Sequence, residues 1–224
     1  MSRPPRRPPA LNVGQSCRHC RMLADLCVCQ VVPRRMTRTR LVLIMHHIEA
    51  RRQSNTGRLA LSALEHAEIL LRGRPDQSLD LSRLIDPARR LLLLFPSPEA
   101  ELLDEAYVAR DDRPVTLIVP DGTWNLARKI PLRQPELRPL PRVRLGLEEP
   151  SAYRLRHSPH PDKLSTLEAI ARALGVLEGP ELRRDLETLF QVARDRILWS
   201  QGKLREELVA GGLPFRARPW AAKA

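Results

Sequence analysis

The chain is expected to fold as an α/β domain, a mainly parallel sheet with helices on both faces, and three observations predict this. Short apolar runs at 40–46, 91–95 and 115–119 have the length and continuity of strands buried on both faces. Segments with helical spacing follow each run, and that alternation is how parallel strands are joined. Polar residues and glycine gather where a run ends, as at Asp121, Gly122 and Thr123, and open parallel sheets bind ligands outside that end.

Taken in order, residues 1–14 are rich in Pro and Arg and are expected to be a disordered basic arm. Residues 15–33 hold every cysteine, Cys17, Cys20, Cys27 and Cys29. A reducing cytosol disfavours disulfides, whereas four thiolates suit one tetrahedral ion, so a structural Zn²⁺ knuckle is expected. Redox-active thiols or an iron–sulfur cluster are the other outcomes. The Cys-x-Cys half is tighter than the usual Cys-x2-Cys, and His19 either neighbours the metal or replaces one thiolate. With all four thiols used, no coordination position stays open for catalysis, and the ion would serve to fold a segment too short for its own core.

Residues 40–46, with Leu41, Val42, Leu43, Ile44 and Met45, read as a buried strand. Residues 56–71 read as a helix with Leu59, Ala60, Ala63, Leu64, Ala67 and Leu71 on one face, capped by Asn55 or Thr56. A second strand at 91–95 is stopped by Pro96 and Pro98 and leads into a helix over 99–108. The third strand, 115–119, feeds a helix starting near Thr123. Residues 131–141 contain four prolines and are expected to be loop, with a fourth strand at 142–145. Helices are expected at 164–174 and 180–198, the latter turning Leu182, Leu186, Leu189, Phe190, Ala193 and Ile197 inward. Residues 211–224 read as a frayed tail, and no internal repeat is visible.

Charge narrows the class of partner. Of 224 residues, 38 are Lys or Arg against 26 Asp or Glu, a formal net charge of +12. Only Lys129, Lys163, Lys203 and Lys223 are lysine. Arginine forks pair bidentately with phosphate and stack on bases, so the bias suits RNA; a merely solvated basic surface is the other reading. No apolar run reaches 18 residues, so no membrane span is expected. Met1 to Pro9 lacks the apolar core of a secretory signal, which points to the cytoplasm. The helices show no self-complementary seam, so a monomer with no protein partner is expected.

The turn Pro120-Asp121-Gly122-Thr123-Trp124 brings an acid, a flexible glycine, a hydroxyl and an indole to a strand end. A capped turn with Trp124 in the core is the plain alternative. It stands in order with Ser54-Asn55-Thr56-Gly57-Arg58-Leu59, Leu94-Phe95-Pro96-Ser97, Ser151-Ala152-Tyr153-Arg154-Leu155-Arg156 and Leu164-Ser165-Thr166-Leu167-Glu168-Ala169. Together these blocks resemble the DTW-domain family, the tRNA-uridine aminocarboxypropyltransferases, over about residues 15–180. The resemblance implies a catalytic domain at 34–210 that transfers the 3-amino-3-carboxypropyl group of S-adenosylmethionine to N3 of a tRNA uridine, releasing methylthioadenosine. It implies likeness to the SPOUT class, with a C-terminal trefoil knot whose last loop and helix would be residues 151–169. The family has a similar N-terminal cysteine cluster. Its His-Pro-x-Glu pattern is matched at His46 and Glu49, but His47 stands in the Pro position.

Attack by N3 requires its proton to be removed or shared, and Asp121 is the acid the motif places for that, as base or as orienting acceptor. Gly122, Thr123, Ser97, Ser165 and Thr166 are expected to contact the cofactor, with helix-start donors facing its carboxylate. Trp124 either stacks on a base or shields the sulfonium, or is core. Glu168 is a cofactor contact or the acid of a capping box. Asn55, Thr56, Arg58, Arg128, Lys129, Tyr153, Arg154 and Arg156 are expected RNA or substrate contacts, each with capping or surface charge as its alternative. His157 and His160 have no metal-ligand spacing. Two further functions fit: an RNA methyltransferase of SPOUT type, and a zinc-containing RNA-binding protein without catalysis.

Overall fold

The computed structural model describes residues 16–51, 55–73, 79–146 and 164–214. Its strands are β1 (Arg40–His46), β2 (Ala67–Arg72), β3 (Arg90–Leu94), β4 (Glu101–Leu102), β5 (Val115–Asp121) and β6 (Arg142–Arg144). All pair in parallel, in one sheet of order β2-β1-β5-β3-β6-β4. The helices are α1 (Gly57–Ala63), α2 (Glu105–Val108), α3 (Trp124–Ala127), α4 (Ile130–Arg133), α5 (Thr166–Glu178) and α6 (Pro180–Ser200).

Central β1 and β5 are buried on both sides, which is why they read as unbroken apolar runs. Their side chains alternate between two cores. Leu41, Leu43, Met45, Leu117 and Val119 face α1, α5, α6 and Tyr107 of α2. Val42, Ile44 and Ile118 face Ile130 of α4 and the single turns Ser82–Leu84 and Pro135–Leu137. Helices therefore cover both faces, the long ones all on the first. No helix among the described residues is long and apolar enough to cross a membrane.

Three element readings need correction. The helix expected over 56–71 stops at Ala63, and Ala67–Arg72 is strand β2, paired with β1 along its whole length. Apolar residues at 67, 69 and 71 satisfy a two-residue period as well as a helical one, and pairing with β1 selects the strand. The helix expected over 99–108 is short strand β4 followed by α2, whose N-cap Asp104 accepts the Tyr107 N–H at 2.7 Å. Residues 131–141 are not all loop, because Pro131 sits in the first turn of α4, where its missing N–H costs nothing.

The cysteine segment is docked on the domain. Cys20, Met22, Leu23, Leu26 and Val28 join the first core. Arg196 of α6, 1% exposed, donates to the carbonyl of Cys27 and, at 2.9 Å, to that of Gly212. Residues 211–214, at the start of the expected tail, are packed there, with Leu213 buried. The expected arm at 1–14 and the tail from 215 lie outside the described residues, as do residues 151–163 of the expected knot.

Candidate active site and metal centre

Asp121 ends β5, opposite Met45 of β1, and is 3% exposed. Its Oδ2 accepts from Asn55 Nδ2 at 2.6 Å, and its Oδ1 accepts from the Thr166 hydroxyl. Asn55 lies just before α1 and Thr166 opens α5, so one carboxylate ties two helix starts to one strand end. Asn55 is itself fixed, its Oδ1 accepting the Arg58 N–H at 3.3 Å. The approach is close because α1 begins with glycine: a Cβ on Gly57 would stand 3.2 Å from Asp121 Cγ and 3.1 Å from Thr166 Cγ2. The start of α5 is set by a capping box, Ser165 N–H donating to Glu168 and Glu168 N–H donating to Ser165 Oγ.

Beside this junction lies a cavity of ≈ 350 Å³, bounded by the ends of β3, β5 and β6 and the start of α5. Phe95 and Trp124 form an aromatic wall, ring centroids 6.0 Å apart and tilted 47°. Trp124 is 36% exposed, so it is a wall residue rather than core. Gly122 takes φ +147°, a conformation that favours glycine, where the chain turns from β5 into α3. The polar lining is Ser165, Thr166, Arg144 and Arg172. Asp121 does not line the cavity. It sits behind Thr166, whose hydroxyl joins the two.

The other expected residues are distributed unevenly. Thr123 is the N-cap of α3, its carbonyl accepting from Leu126 and Ala127. Ser97 is one residue past cavity-lining Pro96, its carbonyl accepting from Ala100. Glu168 is engaged in the capping box. Thr56 is buried at the start of α1. Arg58 donates to the Ala50 carbonyl at 2.6 Å. Burial and Arg21 hold its pKa below the usual value, while Asp121 and Cys20 act against that shift. Arg128 and Lys129 are exposed beyond α3. Tyr153, Arg154, Arg156, His157 and His160 lie outside the described residues.

Sequence reasoning passed over Arg144 and Arg172. Each had a faint signal. Arg144 ends a strand at the ligand-binding rim, and Arg172 follows Thr166 and Ala169 at three-residue helical spacing.

The sequence profile of the DTW domain matches residues 14–198. The chain belongs to the DTW-domain family. It is 33% identical over 183 residues to a Drosophila melanogaster protein named tRNA-uridine aminocarboxypropyltransferase 2, covering 78% of this chain and 72% of that one. A Macaca fascicularis protein of the same name is 30% identical over 168 residues, 72% of this chain and 56% of its own length. An Arabidopsis thaliana protein, tRNA-uridine aminocarboxypropyltransferase A, is 29% identical over 206 residues, 77% of this chain and 76% of that one. This DTW chain thus spans little more than half the length of the macaque relative. No solved structure matches it.

In this DTW protein the four thiols of Cys17, Cys20, Cys27 and Cys29 lie within 4.8 Å of one another. Cys17 Sγ is 3.5 Å from Cys29 Sγ, and Cys20 Sγ is 3.8 Å from Cys27 Sγ. Sulfurs around a tetrahedral ion with metal–sulfur bonds of about 2.3 Å stand about 3.8 Å apart, so the quartet fits zinc. Burial raises the Cys17 thiol, but N–H donors of Cys20 and His19 and the thiols of Cys29 and Cys27 outweigh it, bringing the pKa to about 6. Burial pushes Cys20 and Cys29 upward. Burial lowers the Arg196 pKa, and Cys27 and Cys20 act against that shift.

Proposed function

We propose that this chain is a tRNA-uridine aminocarboxypropyltransferase, moving the 3-amino-3-carboxypropyl group of S-adenosylmethionine onto N3 of a tRNA uridine. The observation that carries this is family membership together with relatives of that name matching over about three quarters of the chain. The cavity at the carboxyl ends of β3, β5 and β6 supports it. As donor, S-adenosylmethionine supplies a sulfonium, an activated leaving group that departs as methylthioadenosine.

The protein's task is then orientation and one proton. Phe95 and Trp124 offer faces on which adenine or uracil can stack and a sulfonium can rest. Arg144, with Ser165 and Thr166 at the start of α5, presents positive charge and donors to the amino-acid carboxylate. Holding that arm, rather than the methyl group, toward N3 decides which carbon reacts. Thr166 accepts the uracil N3 proton on the cavity side as its own hydroxyl proton passes to Asp121. The N3–C bond forms while the C–S bond breaks, so the sulfonium charge and the carboxylate charge are discharged together. Cys17, Cys20, Cys27 and Cys29 hold a structural Zn²⁺, and no step of transfer passes through it.

The test is incubation with S-adenosylmethionine and unmodified tRNA, followed by mass analysis of nucleosides and small molecules. Aminocarboxypropyluridine with methylthioadenosine is expected. S-adenosylhomocysteine would instead show methyl transfer, and unchanged nucleosides would leave an RNA-binding protein without catalysis. For the metal, about one zinc per chain is expected in freshly purified protein; substoichiometric zinc with four freely titrating thiols overturns that assignment.

A further inference from the structure

At the opposite edge of the same rim, β1 ends in His46 and β2 in Arg72, partners in register. Both follow by two residues side chains of the second core, Ile44 and Leu70, and so point to that face. Helix α4 sends Ile130 into this core and ends in Arg133. Arg72 is 8% exposed, and its Nε is buried without a hydrogen-bond partner. Some arginines elsewhere find carboxylates, Arg40 and Arg83 on Glu68 and Arg113 on Asp111. Among the described residues, neither Arg72 nor Arg133 makes an ion pair. The Nδ1 of His47 is also buried without a partner, its ring 4.5 Å from that of His46. The His46 ring is held over Gly73, where a Cβ would come within 2.3 Å of its Nε2.

These groups sense one another. Burial and then Arg133 lower the Arg72 pKa. Burial, His47, Arg72 and Arg133 lower that of His46, and Glu49, which is itself engaged in another interaction, acts against them. A buried guanidinium nitrogen without an acceptor is unfavourable until an anion supplies one.

We propose that Arg72 and Arg133, flanked by His46 and His47, bind a backbone phosphate of the RNA substrate. The guanidinium fork matches phosphate oxygens, and the net charge of +12 suits a polyanion rather than a lone small acid. Strand β2 is two strands from β5, about 10 Å at ordinary sheet spacing. That distance is short enough for the contact to hold the RNA strand that delivers the target base. The inference rests on the tRNA reading above.

The test uses the full chain, an unmodified tRNA transcript and no donor, with affinity measured across a range of KCl. Arg133→Gln, an exposed change that leaves the core alone, is expected to weaken binding and to reduce the slope of log affinity against log salt by less than about 1. Arg72→Gln with Arg133→Gln, which removes the whole contact to that phosphate, should reduce it by about 1, and Arg72→Lys alone should keep most of it. An unchanged slope and affinity in Arg133→Gln and in the double variant overturns the site. Because no donor is present, this readout is independent of transfer. Slopes that fall in a protein releasing no methylthioadenosine keep the phosphate site and sink the transferase reading; the reverse result sinks the site alone.

Discussion

Asp121 is the residue at which three distant segments of chain meet, and its two oxygens are committed to Asn55 and Thr166 before any substrate arrives. Its influence on a ligand must therefore pass through Thr166, the member of the trio on the cavity wall. Asp121→Asn is expected to lower kcat about 10²–10⁴-fold, the usual worth of a general base, with tRNA affinity nearly unchanged. The amide also sets a donor against a donor, so a second variant separates chemistry from packing. Thr166→Val, of similar volume, should lose methylthioadenosine release likewise, and Thr166→Ser should restore most of it. Full turnover in Thr166→Val would remove the relay. The position of the acid at a strand end was legible in the motif, with a site and a capped turn as its two readings. Its link to Thr166 was not, because a hydrogen bond across 45 positions leaves no periodicity to read.

The start of α5 and the start of α1 work together at the scale of elements. Loss of the Glu168 cap in Glu168→Ala should cost about 1 kcal/mol, measured by thermal or denaturant unfolding. Gly57→Ala presses a methyl group against the Asp121–Thr166 pair, where 3.1–3.2 Å contacts are tighter than side chains tolerate. It should lower kcat more than it lowers stability; a melting loss with normal turnover would show that α1 simply moves aside. The capping box was readable as Ser165-x-x-Glu168 because its two hydrogen bonds are local. Strand β2 was misread because Ala67, Ile69 and Leu71 fit either period, and β4 was hidden because two residues carry no pattern.

The whole molecule is closed by Arg196, which joins α6 to the Cys27 carbonyl and to the backbone at Gly211 and Gly212. Arg196→Met takes the donor from those part-buried carbonyls and should destabilise the chain by on the order of 3 kcal/mol in denaturant unfolding. Metal removal by a chelator should lower the melting temperature of the wild-type chain too, since the cysteine segment supplies part of the first core. An unshifted melt after complete removal would make the metal incidental. By itself the sequence determined the buried central strands, the long α5 and α6, the clustered thiols and the motif acid, all of which depend on neighbours a few residues away. Only the tertiary structure decided that Asp121 lies behind Thr166, that Arg144 and Arg172 reach the cavity, and that Arg72 ends buried without a carboxylate. Those outcomes depend on which strand ends and helix starts lie side by side, and strand order is set by packing between segments far apart in the chain.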